Sequence, residues 1–565
     1  MIKVCTSTEG RRTQITCSKA TGLVQLLLLL LVFPWWVNGQ LLKDKKEFNR
    51  QDSLRGSITP QREWWDLLRY DLDVTVDIDQ RSIAGTNIVG YKVLQEQQVM
   101  QIDLQEPMKI TRVTQNGNKL SMESEGNAHF IQLIESQTQG TEQQLIIEFE
   151  GVPRQAVNAP WDGGWSWKMD EQGNPFIATS NQGLGASVWW PCKDHMYDEP
   201  ERGISIGIAI PDSLTAVANG RLKSVNKLKR NRKRFLWEVQ NPINNYGVNI
   251  NIGNYVNYSE IYTGERGPLD LDYYVLEENL EKAREQFKQV PKMMEAFEYW
   301  FGPYPFYEDS FKLVEVPYLG MEHQSSVTYG NKYANGYLGG DLSATGWGLK
   351  FDFIIIHEAG HEWFANNITN KDIADMWIHE GFTAYSECLY LDYHYGTKAA
   401  SEYVRGTRIN IRNDRPLIGE YGVNHEGSSD MYYKGANILH TLRQLIDDDE
   451  KWRTILRGLN SEFYHKTVTT MQVEQYIARE AWMDLDKFFD QYLRTTKIPI
   501  LRHKIENGVL SYTYDRVIEG FQMPIDIMVN DVKTRIEPSG EIQTLQVGDA
   551  QVDFIKDFLI LYYEL

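Results

Sequence analysis

Between Phe351 and Glu387 the chain reads FDFIIIHEAGHEWFANNITNKDIADMWIHEGFTAYSE, and four side chains in it have the types and spacing of a metal site. His357 and His361 are four residues apart, so on a helix their imidazoles share one face and can meet one ion. Glu358 stands about 100° round from His357, near enough to reach a water beside the ion without being a ligand. Glu380 follows after eighteen intervening residues and supplies a third donor. Two histidines and a carboxylate leave a fourth position open, which is the donor set of a catalytic zinc, one per chain.

The elements that must position these groups are legible nearby. Phe353-Ile354-Ile355-Ile356 reads as a buried helix, where an unpaired His-Glu-His cluster would be costly. Asp372 to Tyr395 has its own helical pattern, with Met376, Trp377, Phe382, Tyr385 and Leu389. A helix returning antiparallel would bring Glu380 beside the histidines. The competing reading, two surface helices with incidental His and Glu, leaves the buried charges without a purpose. A zinc hydrolase is the working reading.

Hydrolysis of an amide also needs a donor for the oxyanion and groups that select the bond. Tyr432, in MYYKGA, begins a helical segment downstream of Glu380. A phenol donates a hydrogen bond without adding charge, but on spacing alone a tyrosine at a helix start is more often a packing residue, and Tyr433 competes with Tyr432. Glu322, in VPYLGMEHQ, follows a strand-like Phe311–Val316. A carboxylate on a strand edge would bind a free α-ammonium group and make an exopeptidase; spacing does not separate this from an exposed edge residue.

The whole chain has 565 residues, 42% hydrophobic and 12% aromatic, enough for several cores. A net charge of −19 without a long basic run excludes nucleic acid as a partner. Residues 1–39 read as a signal peptide: Lys3, Arg11, Arg12 and Lys19 precede the apolar LVQLLLLLLV, and Val37-Asn38-Gly39 closes it. The run is too short for a comfortable membrane span, so no stable insertion is expected after cleavage, and the product is periplasmic or extracellular. Cys192 and Cys388, the two cysteines beyond the signal, are expected as buried free thiols.

The expected fold class is multidomain α+β. Residues 40–58 are polar and read as a mobile linker. From Tyr70 the apolar residues alternate, and short strands recur to about 262, giving an antiparallel β saddle or sandwich over 59–262. A helical period over Glu278–Phe301 opens a mainly helical catalytic domain, 263–497, with further helices at Met431–Ile446, Lys451–Tyr464 and Gln472–Ala478, the last capped by Thr470. Alternation returns over 498–565, a small β module with Asn507-Gly508 as a hairpin turn.

HEAGHEWF, with Glu380 in WIHEGFTAY, and the segments GMEH and YYKGA resemble the aminopeptidase N family of gluzincin metallopeptidases, which includes leukotriene A hydrolase. The likeness runs over nearly the whole chain after the signal: N-terminal β domain, thermolysin-like catalytic domain, trailing β module. It implies zinc on His357, His361 and Glu380, Glu358 as general base, and Tyr432 as oxyanion donor. Leu319-Gly320-Met321-Glu322-His323 falls on the family's G-x-M-E-N, with Leu319 for the first glycine and His323 for the asparagine. The resemblance implies that Glu322 anchors the substrate amine, with Gly320 and Met321 on the peptide-binding strand and Gln182 as a second amine contact from the β domain. Glu387, seven residues after Glu380, matches an acid that orients a ligand histidine, and His379 replaces an asparagine beside Glu380. The expected substrates are peptides with a free N-terminus. Many members carry a long C-terminal helical domain that helps cap the cavity; none is legible here, so an open cleft or a homodimer partner as cap is expected. A gluzincin endopeptidase and a non-catalytic interaction module on the same fold are the alternatives.

Overall fold

The structure, a computed structural model, describes residues 47–565; residues 1–39, where a signal peptide is expected, and residues 40–46 lie outside them. The long alternating segment from Trp65 to Val93 forms two paired strands, Trp65–Asp77 and Ser82–Val93, at the middle of an eight-stranded sheet. Leu72, Val74 and Val76 turn their side chains into a core that also takes Ile204, Ile206 and Ile208. That second strand, Ile204–Pro211, lies parallel to the first with Tyr70 opposite Ile204, so the expected all-antiparallel sheet has one parallel pair. A parallel neighbour needs a long crossover, and residues 78–203 supply it, carrying a three-stranded sheet, the strands Gly164–Met169 and Pro175–Ser180 of a four-stranded one, and the loop that holds Gln182.

The catalytic region opens with a five-stranded sheet in the order Tyr255–Gly264, Gly267–Leu276, Phe311–Glu315, Val327–Tyr329, Gly320–Met321. Tyr255–Gly264, assigned above to the β domain, therefore belongs to this sheet through its ladder with Gly267–Leu276. Gly320–Met321 is the edge strand, antiparallel to Val327–Tyr329, with its other side free of any partner strand among the described residues. The helix expected over Glu278–Phe301 is two helices, Leu280–Gln286 and Gln289–Phe301. Pro291 explains the break: it has no N–H to give the Phe287 carbonyl, and Val290 closes a tighter turn on that carbonyl at 2.9 Å instead.

Helices Trp377–Tyr395 and Tyr433–Ile446 cross behind the site, and Thr470–Ala481 begins with Thr469, not Thr470, as its cap: Thr469 and Gln472 form a reciprocal capping box. In the C-terminal sheets Asn507 and Gly508 make the two-residue hairpin turn, both with φ positive (48° and 75°). The apolar residues of these sheets join the same core as the catalytic helices. Cys192 and Cys388 are buried free thiols.

Residues 49–57 are not a mobile linker. Arg50–Gly56 is a helix with an Asn49/Asp52 capping box, packed on the β domain through ion pairs of Arg50 with Glu125 (2.5 Å) and Arg55 with Asp194 (3.3 Å). A polar composition here marks side chains paired with particular partners, the partly exposed Glu125 carboxylate and the buried Asp194, which composition alone reads as solvation.

Candidate active site

His357 lies in the last turn of the helix Phe353–Gly360 and His361 caps its end. Asp352 starts that helix by accepting from Ile354 N at 3.1 Å, and its apolar face is buried in the catalytic core. Glu380 sits in the first turn of Trp377–Tyr395, which packs against it. The expected convergence is found: one donor atom each from His357, His361 and Glu380 lies within 4.8 Å of the others, and none of the three is more than 5% exposed.

The outer nitrogen of each imidazole is already committed. His357 Nδ1 is 2.7 Å from Glu387 Oε1, and His361 Nδ1 is 3.1 Å from the Phe364 carbonyl and from Thr383 Oγ1. Both Nε2 atoms therefore face inward, 3.5 and 3.3 Å from Glu380 Oε2, a buried oxygen with no hydrogen-bond partner. Ligands on a tetrahedral ion with bonds of about 2.0–2.1 Å stand roughly 3.3 Å apart, so this set fits zinc. Glu387 acts from behind: its second oxygen accepts from Tyr403 at 2.5 Å, which fixes the carboxylate on His357. Burial opposes charge on both histidines, yet the Glu380 carboxylate, joined at His357 by Glu387, raises their pKa values.

Glu358 faces the same space. Burial pushes its carboxyl up to about 7, with His357 pulling it down and Glu322 pushing it up. A methyl built on Gly320 would stand 3.2 Å from Glu358 Oε1, so the edge strand passes directly beside this carboxylate. Tyr432 lies between a short 3-10 turn and the helix Tyr433–Ile446, and its ring stacks beside His357 at 5.9 Å and 22°. Burial, then the Glu380 and Glu322 carboxylates, hold its hydroxyl far above the ordinary phenol range, so it stays a neutral donor. Tyr433, the competitor, is influenced by the Glu387 charge, where Tyr432 is influenced by Glu380 and Glu322.

Glu322 is 2% exposed at the end of the edge strand, and Gln182 reaches it across the domain junction: Nε2 donates to Glu322 Oε1 at 2.5 Å and stands 3.4 Å from Glu380 Oε1. Burial raises the Glu322 pKa, His361 lowers it and Glu380 raises it again. Met321 is buried with Ala178, Tyr246 and Tyr318 in a small apolar cluster that welds the edge strand to the β domain. His323 is buried and held neutral, its pKa lowered by burial to about 3, with Nδ1 3.4 Å from Thr328 Oγ1. His379 turns away from the site and accepts from Asn370 N at 2.7 Å.

Besides Tyr403, two contributors escape sequence reading. Asn366 donates to the Glu322 carbonyl at 2.8 Å and to Glu362 Oε1 at 3.0 Å, tying the edge strand to the histidine segment. Tyr246, from the β domain, sets its buried hydroxyl beside Glu322, and burial, then the Glu322 and Glu380 charges, push that hydroxyl well above the ordinary phenol range. Only the fold brings these residues to the site, and no spacing announces them.

A domain built on an eight-stranded sheet, joined to a helical one that holds a His-His-Glu zinc-type site, fits a metallopeptidase, and the chain belongs to peptidase family M1. The family's N-terminal domain matches residues 67–246 and its peptidase domain residues 285–492. Among characterised proteins it is similar to aminopeptidase B of Homo sapiens, 24% identical over 376 residues that cover 62% of this chain and 51% of that one. It is also similar to leukotriene A-4 hydrolase of Xenopus laevis, 24% identical over 447 residues, 74% of this chain and 68% of that one. The chain spans about half the length of the aminopeptidase B relatives it matches. In fold it is similar to the M1 zinc metallopeptidase of Deinococcus radiodurans, solved as a mutant bound to a Tyr-Ser-Ala substrate: TM-score 0.65, 18% identity, 78% of this chain and 98% of that one.

Proposed function

We propose that this protein is an exported zinc aminopeptidase that removes the first residue of peptides bearing a free N-terminus. The observation that carries the reading is the Gln182–Glu322 contact at 2.5 Å, 3.4 Å from Glu380 on the other side of Gln182. The buried Glu322 carboxylate, with the Gln182 amide set against it, offers a corner suited to an ammonium group. That the relatives include proteins named aminopeptidase B and aminopeptidase M1 supports the same reading.

His357, His361 and Glu380 would hold the zinc, which when bound polarises a carbonyl and acidifies water. Glu322 and Gln182 bind the α-ammonium and so register the first peptide bond. The peptide continues along the open edge of Gly320–Met321, adding its backbone to the strand. That edge runs past Glu358, so the first carbonyl carbon is delivered beside the base. Glu358 takes the proton of the attacking water at a carboxylate oxygen and gives it to the leaving nitrogen. The Tyr432 hydroxyl donates to the carbonyl oxygen as it gains charge.

Export rests on the basic residues and apolar run ahead of Gln40, and among the described residues no helix is long and apolar enough to cross a membrane. N-terminal sequencing of protein recovered outside the cytoplasm tests it: a mature end near Gln40 is expected. A homodimer in which the second copy caps the cleft completes the proposal, and light scattering of the purified protein tests it.

The activity is tested with fluorogenic amino-acid amides. Hydrolysis that stops with a chelator, returns with zinc, and is lost in Glu358→Gln while the variant keeps its zinc is the expected result. Unchanged turnover by Glu358→Gln would contradict it.

A further inference from the structure

The loop after Gln182 is held by Gln105, whose Nε2 donates to the Leu184 carbonyl at 2.7 Å, and also by a segment ahead of the family-matched residues, which begin at Leu67. Arg55, on the short helix Arg50–Gly56, donates to the Asp194 carbonyl and reaches the Leu184 carbonyl at 3.4 Å, and its guanidinium pairs with Asp194 Oδ1 at 3.3 Å. Asp194 in turn accepts from Ser187 N at 3.0 Å. Both ends of the loop after Gln182 are thereby clasped by one side chain. The fit is close: a methyl built on Gly185 would stand 2.1 Å from Arg55 Nη2 and 2.3 Å from Asp194 Oδ2.

The same segment touches the catalytic domain. Gly56 lies flat on the Val423–Asn424 backbone, where an added methyl would stand 2.0 Å from Asn424 N. Asn424 Nδ2 donates to the Gly183 carbonyl at 3.0 Å, and Phe48 packs edge-on to His425 at 5.2 Å. The strap is anchored behind by Arg62, fully buried, which donates to the Ser57 carbonyl at 2.8 Å and pairs with Asp103 at 2.7 Å. Residues 48–62 thus bridge the two domains at the single loop whose side chain closes the amine corner.

We propose that Arg55 is a positioning residue: through the strap it holds the Gln182–Gly185 loop so that Gln182 faces Glu322, and it thereby sets affinity for the substrate amine. Arg55 touches no reacting atom. Gln182 binds an ammonium that is present in ground and transition states alike, so loosening it raises KM and leaves kcat. The inference rests on the aminopeptidase reading for its kinetic part, and the experiment separates the two.

The test is Arg55→Ala in the full chain, alone and combined with Gln182→Ala. Arg55→Ala is expected to raise KM for a free-amine amino-acid amide about tenfold, the worth of a charge-assisted bond, with kcat within about threefold. In the Gln182→Ala background it is expected to add nothing further, because both act through one contact. Arg55→Lys, which keeps the pair with Asp194 but cannot span both carbonyls, should restore only part. Hydrogen exchange reads the strap without activity: the Gly185 amide, bonded to the Asn181 carbonyl at 2.8 Å, should exchange at least tenfold faster in Arg55→Ala while the amides of the central sheet do not. Unchanged Gly185 exchange overturns the strap, whatever the enzyme cleaves. Faster exchange with unchanged KM in an active enzyme overturns the link to the amine. Additive effects of the two substitutions would assign Arg55 a role independent of Gln182 and overturn it as well.

Discussion

Gly381 and Gly435 meet backbone to backbone where the two site-bearing helices cross: a methyl built on Gly435 would stand 2.8 Å from the Gly381 Cα. Gly381 follows Glu380 directly and Gly435 lies three residues after Tyr432, so this contact sets how close Tyr432 comes to Glu380. Gly435→Ala is expected to push the helices apart, cost about 1–3 kcal/mol of stability by overpacking, and lower kcat about 10- to 100-fold by displacing Tyr432. Thermal unfolding and steady-state kinetics on the same sample check both; a variant with normal kcat would show that Tyr432 does not depend on this crossing.

Tyr432→Phe removes only the hydroxyl. In the role proposed for it that group donates as charge develops on the carbonyl oxygen, so kcat is expected to fall about 10²–10³-fold with KM and zinc content retained. A change confined to KM would make Tyr432 a binding residue.

Glu387→Gln keeps the shape behind His357 but removes the charge held 2.7 Å from its Nδ1. Zinc affinity is expected to fall about 10- to 100-fold, read as the chelator concentration that strips half the metal. Equal chelator resistance in wild type and variant would contradict the role.

Glu199 is buried beside Asn244, 3.1 Å from its Nδ2, and burial pushes its carboxyl up from 4.5 to about 7, hydrogen bonds from Asn244 and Thr369 offsetting only part. A raised folded-state pKa favours the protonated carboxyl on folding. The native state therefore carries no penalty from this group below the unfolded value near 4.5, and progressively more as pH rises through 7. Glu199→Gln should gain on wild type between pH 5 and 8 by about 3 kcal/mol at most. Denaturant unfolding of the two proteins at both pH values measures it, and a difference that stays constant with pH would contradict the shift.

How much of this was legible in the sequence differs group by group. His357, His361, Glu358 and Glu380 announce themselves because helical spacing fixes their mutual direction before any tertiary contact is known. Tyr432 and Glu322 are ambiguous on spacing, and only the resemblance to a family separates them from packing and edge residues. Asn366, Tyr246 and Tyr403 are invisible, since each meets the site through a long-range contact. Arg50–Gly56 was misread for a related reason: its charged residues resemble a solvated linker until Glu125 and Asp194, 75 and 139 residues away, are placed opposite them. The parallel pairing of Tyr70 with Ile204 likewise depends on a crossover that alternation cannot reveal.

The most direct measurement is hydrolysis of one short peptide with its amine free and of the same peptide N-acetylated, by wild type and Gln182→Ala. With Glu322 and Gln182 binding the ammonium, the free-amine peptide should lose its first residue, the acetylated one should be at least about 10²-fold slower because a buried carboxylate is left unpaired, and Gln182→Ala should narrow the gap by raising KM for the free amine. Equal rates on both peptides, with cleavage at internal bonds, would contradict the amine corner and make this metallopeptidase an endopeptidase.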